Sequence, residues 1–199
     1  MKFRHPAAIA LAALMLTTAG AGAQTESYKL DPAHSSVGFK VRHMMINDVR
    51  GTFDKVDGTI VFDSKNMANS SVSVTIETAS VNTRVENRDN DLRSEKFFDA
   101  AKNSTITFQS KKIMKKGEQW IAVGDLTMRG VTKEIELPFT VSGPVLNPWG
   151  QTVIAVSAST EINRQDFGVS WNKTLDAGGV LVGDTVKIEI EAEAQKQAP

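Results

Sequence analysis

Between Tyr28 and about Glu193 the chain alternates apolar and polar side chains with a period of two, and this constrains its fold more than any other feature. Val37, Phe39, Val41 and His43 share one parity, with Ser36, Gly38, Lys40 and Arg42 on the other. The same rhythm recurs in Val49-Gly51-Phe53, Ile60-Phe62, Val72-Val74-Ile76, Ile106-Phe108, Ile135-Leu137-Phe139-Val141, Ile154-Val156-Ile162 and Val186-Ile188-Ile190. Successive strand side chains point to opposite faces, so each run predicts a strand with one dry and one wet side. About eight to ten such strands can be read, punctuated by Asp57-Gly58, Gly143-Pro144 and Asn147-Pro148. The pattern predicts an all-β fold, a mainly antiparallel sheet curled into a barrel or folded into a sandwich. No repeat or linker divides it, and the tail beyond about Glu193 reads as frayed.

One segment departs from the rhythm. Val85 to Asn103, "VENRDNDLRSEKFFDAAKN", is charge-rich and does not alternate. Val85 and Leu92 stand at a helical spacing, and Phe97-Phe98 ends the apolar part. A short helix is predicted, either covering a barrel mouth or packing as a connector. Asp89, Asp91 and Glu95 lack the glycine of an EF-hand loop and read as a solvated helix face.

The N-terminus carries Lys2 and Arg4, a short apolar run and Ala21-Gly22-Ala23. That predicts a cleavable secretory leader over residues 1–23 and one domain over residues 24–199. The run is too short to span a bilayer. The chain has no cysteine, which excludes a thiol nucleophile and thiolate metal ligands. An exported chain without disulfides must rely on its own core. Removing Lys2 and Arg4 from 23 basic and 23 acidic side chains leaves a small acidic excess, so nothing electrostatic points to nucleic acid.

Two histidines follow the leader. His34 and His43 have opposite parity, and a straight strand rising about 3.3 Å per residue would hold them roughly 30 Å apart. No single metal ion is expected to bind both, and no H-x-H or H-x-x-x-H spacing exists. Ser35 and Ser36 adjoin His34, but adjacency in sequence does not make a catalytic pair. Arg164 beside Asp166 reads as a structural pair. His43, in phase with the apolar face, is either a hydrogen-bonded structural histidine or a polar contact for the head of an apolar ligand. Trp149 and Trp171 fall in loops, where they either touch a membrane or pack the barrel end.

Several stretches together resemble one family. They are "YKLDPAHSSVGFKVRHMMINDVRGTF", "RDNDLRSEKFFDAAKNSTITFQS", "GDLTMRGVTKEIELPF", "INRQDFGV" and "VGDTVKIEIEAEA", in that order over most of residues 28–194. The chain is similar to the YceI-like family of periplasmic, lipocalin-like polyisoprenoid-binding proteins. The resemblance implies an eight-stranded antiparallel barrel with one short helix, from about Glu86 to Ala101, packed at an end of an apolar channel. It implies binding, transport or storage of an isoprenoid lipid, polyprenyl or quinone-like, with no catalytic residue, metal or cofactor. The wall would draw on Val37, Phe39, Val41, Phe53, Ile76, Phe108, Leu137 and Phe139, and His43 sits in the matching "RH" element as a candidate ligand contact; a helix covering one mouth would point Leu92, Phe97 or Phe98 inward. Transient membrane contact and an isologous homodimer are the expected associations. Two rival readings stand beside this one. The first is an enzyme acting on a lipid-like substrate with His43 as acid or base; the second is a ligand-free stress-response interaction module. Parity alone cannot tell a filled barrel from a hollow one.

Overall fold

The computed structural model describes residues 25–176 and 178–198. The leader predicted over residues 1–23 lies outside them. Eleven strands appear among the described residues: β1 (Glu26–Leu30), β2 (Ser36–His43), β3 (Asn47–Phe53), β4 (Val56–Phe62), β5 (Ser71–Glu77), β6 (Val81–Asn82), β7 (Thr105–Lys116), β8 (Gln119–Met128), β9 (Val131–Leu146), β10 (Thr152–Asn163) and β11 (Val182–Lys196). One α-helix, α1, spans Glu86–Arg93.

These segments make eight staves of a closed antiparallel barrel, because β1–β2, β3–β4 and β5–β6 are three staves each broken once. The break between β1 and β2 has a local cause. Asp31 accepts the Ala33 N–H at 2.9 Å, and Pro32 supplies a fixed φ and no N–H, so Pro32–His34 winds into a 3-10 turn. Ser35 then repairs the ladder: its hydroxyl donates to the Glu193 carbonyl and accepts the Glu193 N–H, both at 3.2 Å. β11 closes the barrel by pairing with β10 on one edge and with β2 and then β1 on the other. Lys196 is still in register with Tyr28, so the expected frayed tail is strand.

Two local expectations are corrected. Asp57-Gly58 is not a turn but lies inside β4. A Cβ on Gly58 would come within 2.7 Å of Leu30 and 2.8 Å of the Ser73 carbonyl, so glycine is there for close approach. The helix stops at Arg93 instead of running to Ala101. Ser94 turns to extended backbone at ψ 170, its N–H returns to the Asn90 and Asp91 carbonyls, and a run of turns carries the chain on.

Candidate functional site

All eight staves contribute inward side chains to a long hollow with about 1800 Å³ of atom-free space, part of it open to solvent. Its lining is almost wholly aliphatic and aromatic, with Ser35, Ser70, Ser71, Thr160 and Arg164 as the polar residues. Ten of the eleven residues expected from the sequence line it: Val37, Phe39, Val41, Phe53, Ile76, Phe97, Phe98, Phe108, Leu137 and Phe139. Phe39 and Phe98 both contact Phe53, with ring centroids 5.8 Å apart in each pair.

His43 does not line the hollow. It sits half-buried at the end of β2, in register with Asn47 and Val182. Between Val182 and Val186 the register with β2 shifts, and both valines line the hollow although His43 does not. His43 shares the parity of Val41, and that parity alone does not bring its side chain to the hollow. His34 is exposed on the 3-10 turn, its Nδ1 2.8 Å from Asp31 Oδ2. Asp31, His34 and Glu193 bring ligand atoms within 4.8 Å of one another. Asp31 is already engaged there, accepting from Ala33 N and Gln195 Nε2.

The helix segment caps one end of the hollow with Leu92, Phe97 and Phe98. Its anchor is Asp89, which is buried and not solvated as its charge suggested. Asp89 Oδ1 accepts from the Thr83 N–H at 2.8 Å and from the Thr83 hydroxyl. Arg88 donates to the Thr83 carbonyl and hydroxyl oxygens, and Arg93 to the Ala79 and Val81 carbonyls. From the β8–β9 turn, Arg129 donates to the carbonyls of Glu95, Phe97 and Gly168. Trp171 packs on Phe97 with centroids 5.3 Å apart, so it belongs to barrel-end packing. Trp149 stands 83% exposed in the β9–β10 connection.

Arg164 is the charged residue of the wall. Its partner is Asp184 and not the neighbouring Asp166. Nε donates to the Gly183 carbonyl, one terminal nitrogen to Val169 and Trp171, the other to Val182 and Asp184. A guanidinium has five N–H donors, so none is left for a ligand. Burial pushes its pKa down, and Asp184 partly offsets that. Ser35 and Thr160 likewise turn their hydroxyls to backbone groups of Glu193 and Glu136. Among the described lining residues none is Asp, Glu, His, Lys or Tyr. The arrangement can enclose a hydrocarbon chain.

A family model for the YceI-like domain matches residues 28–194. A UPF0312 protein of Staphylococcus aureus (strain N315) is 36% identical over 168 residues, covering 84% of this chain and 96% of its own length. The crystal structure of the Campylobacter jejuni YCEI protein aligns with a TM-score of 0.67 at 35% identity, over 85% of this chain and 97% of that one. A polyisoprenoid binding domain from Saccharophagus degradans, implicated in plant cell wall breakdown, shares the fold with a TM-score of 0.63 at 17% identity, over 86% and 99% of the two chains.

Proposed function

The chain belongs to the YceI-like family, and from that premise we propose that its barrel is a non-catalytic carrier for the hydrocarbon tail of an isoprenoid lipid. The observation that carries this reading is a hollow to which all eight staves contribute and whose lining is almost wholly aliphatic and aromatic. The polyisoprenoid binding domain that shares the fold points to the same ligand class. Each methylene buried from water gains about 0.8 kcal/mol, so several isoprene units gain on the order of 20 kcal/mol before costs. Association and ordering cost roughly 4–15 kcal/mol. Bilayer tails are as apolar as leucine, so exchange between membrane and barrel is close to balanced. A balanced exchange suits reversible carriage across an aqueous compartment, and the leader sequence supports the periplasm as that compartment. Val145 and Leu146 at the end of β9 and Trp149 in the connection that follows are all exposed and support transient contact with a bilayer there.

Solvent extraction of protein purified from its native compartment, followed by mass spectrometry, tests the reading. An isoprenoid lipid at near-stoichiometric yield is expected. Repeated extracts free of lipid, from folded protein, would reject it.

A further inference from the structure

The barrel wall is not sealed all the way round. β1 and β4 pair from Glu26↔Phe62 to Lys29↔Thr59, and β2 and β3 pair from Val37↔Phe53 onward. Between these two ladders, residues 30–36 face residues 54–58 without strand pairing. On each side the backbone is tied away from the gap. Asp31 N–H donates to the Glu193 carbonyl on β11. Asp54 N–H donates to the Ser80 carbonyl, and Lys55 N–H to the Ser80 hydroxyl. No strand pairing therefore bridges the two bent staves along this seam, and Leu30 meets Gly58 at its β1–β4 end.

A solvent-facing recess of about 540 Å³ occupies this seam. Ser35, Phe53 and Val56 form walls of both the recess and the hollow, so the two spaces adjoin. The recess differs from the hollow in chemistry, for Ser36, Thr52 and Asp54 bring hydroxyls and a carboxylate to it. The Asp54 carboxylate accepts from the Thr52 hydroxyl at 3.1 Å and from Asn82 Nδ2 at 2.8 Å. Each carboxylate oxygen retains a second lone pair. No lysine or arginine lines the recess. The nearest lysines in sequence are engaged elsewhere, Lys55 with Glu77 and Lys29 with Asp57.

We propose that the seam recess beside Asp54 seats the polar head of the ligand, and that this head is an uncharged, hydroxyl-bearing group and not a phosphate or carboxylate. This rests on the carrier reading and narrows its substrate class. A ligand with its tail in the hollow and its head past Phe53 would bring a hydroxyl to the Asp54 acceptor. An anion there meets a carboxylate, and no lysine or arginine lines the recess to offset it. Arg164, the cation of the hollow, has no donor to offer.

Competition against an apolar fluorophore tests this with three probes: geranylgeraniol, geranylgeranyl diphosphate and the headless hydrocarbon squalene. Wild type is compared with Asp54→Asn and Asp54→Lys, whose folding is checked by circular dichroism; Asp54 is exposed, so both variants should fold. The ratio of alcohol to diphosphate affinity cancels the tail and is the quantity read. Asp54→Lys should move that ratio toward the diphosphate by about tenfold or more, with Asp54→Asn between, while squalene binding stays unchanged. A ratio constant within about twofold across the three proteins, with squalene still bound, would overturn the head site alone. Failure of both geranylgeraniol and squalene to displace the fluorophore from folded wild type would overturn the carrier reading and this inference with it.

Discussion

Arg164 and Asp184 pair at 3.1 Å, yet the arginine side chain is only 5% exposed and the carboxylate is 43% exposed. The two partners are therefore unequal. Asp184 can be rehydrated if the pair breaks, whereas the guanidinium also supplies the carbonyls of Val169, Trp171, Val182 and Gly183. Arg164→Ala strands those acceptors at about 1–3 kcal/mol for each that water does not reach, and a total loss of about 3–5 kcal/mol is expected. Arg164→Lys keeps the charge but not the planar fork, and falls in between. Asp184→Asn should cost about 1 kcal/mol or less. Urea denaturation at neutral pH ranks the three; equal effects of Arg164→Ala and Asp184→Asn would contradict the asymmetry.

Ala158 faces the hollow from β10, opposite Phe139 on β9 and Ile190 on β11. In a filled core, a large side chain placed there would cost about 1–3 kcal/mol through overpacking. In a hollow it has room. Ala158→Trp should leave the urea midpoint near that of wild type and abolish lipid recovery on extraction. A large loss of stability would mean that the barrel is a packed core.

The wall of the hollow was legible because period two is a property of the backbone, and every inward residue of a regular strand inherits it. The helix cap was legible in outline from the break in that rhythm. What the sequence could not give depends on partners brought together by closure. Arg164 meets Asp184 only because β11 returns beside the turn after β10, and nothing near Asp166 signals it. Asp89 looked solvated because charge predicts exposure; Thr83, six residues earlier, supplies the donors that let it be buried. The seam is an absence of pairing between β1–β2 and β3–β4, which leaves no mark in composition. Its one local trace is Asp31-Pro32, the pair that starts the 3-10 turn.

Thr78 is 1% exposed, and among the described residues its hydroxyl has no hydrogen-bond partner. A buried unpaired hydroxyl costs about 1–3 kcal/mol. Thr78→Val keeps the shape and removes the polar atom. It should be neutral or raise stability by up to about 1 kcal/mol, read as the shift in urea midpoint.

Met44 and Met45, in the β2–β3 turn, both take left-handed backbone, with φ of 50° and 63°. That conformation costs an L-residue with a Cβ roughly 1–2 kcal/mol and is the reason such turns favour Asn-Gly. Both methionines are exposed, at 41% and 53%, so little packing holds them. Replacing the pair with Asn-Gly should stabilise the protein by about 1 kcal/mol after the added chain entropy of glycine. An unchanged or lowered thermal midpoint would show that the methionine contacts outweigh the backbone strain.

His34 and Asp31 make stability at the β1–β2 bend depend on pH, and the direction follows from their shifts. The hydrogen bond to Asp31, helped by the charges of Asp31 and Glu193, raises the His34 pKa above 6.5. The same hydrogen bond, with that from the Ala33 N–H, lowers the Asp31 pKa below 3.8. A raised histidine stabilises the fold fully below its unfolded value and loses that contribution as pH climbs through the folded value. A lowered carboxylate does the reverse: its contribution is present above 3.8 and is lost as pH falls through the folded value. The pair therefore supports the bend across the acidic-to-neutral range and weakens above 6.5. The effect is small, because the His34 side chain is 64% exposed and solvent screens the pair. Thermal midpoints measured from about pH 5 to pH 9 should show a shallow decline on the alkaline side. That decline should shrink at high salt and disappear in His34→Gln. If the variant retains the full decline, the titrating group is not His34.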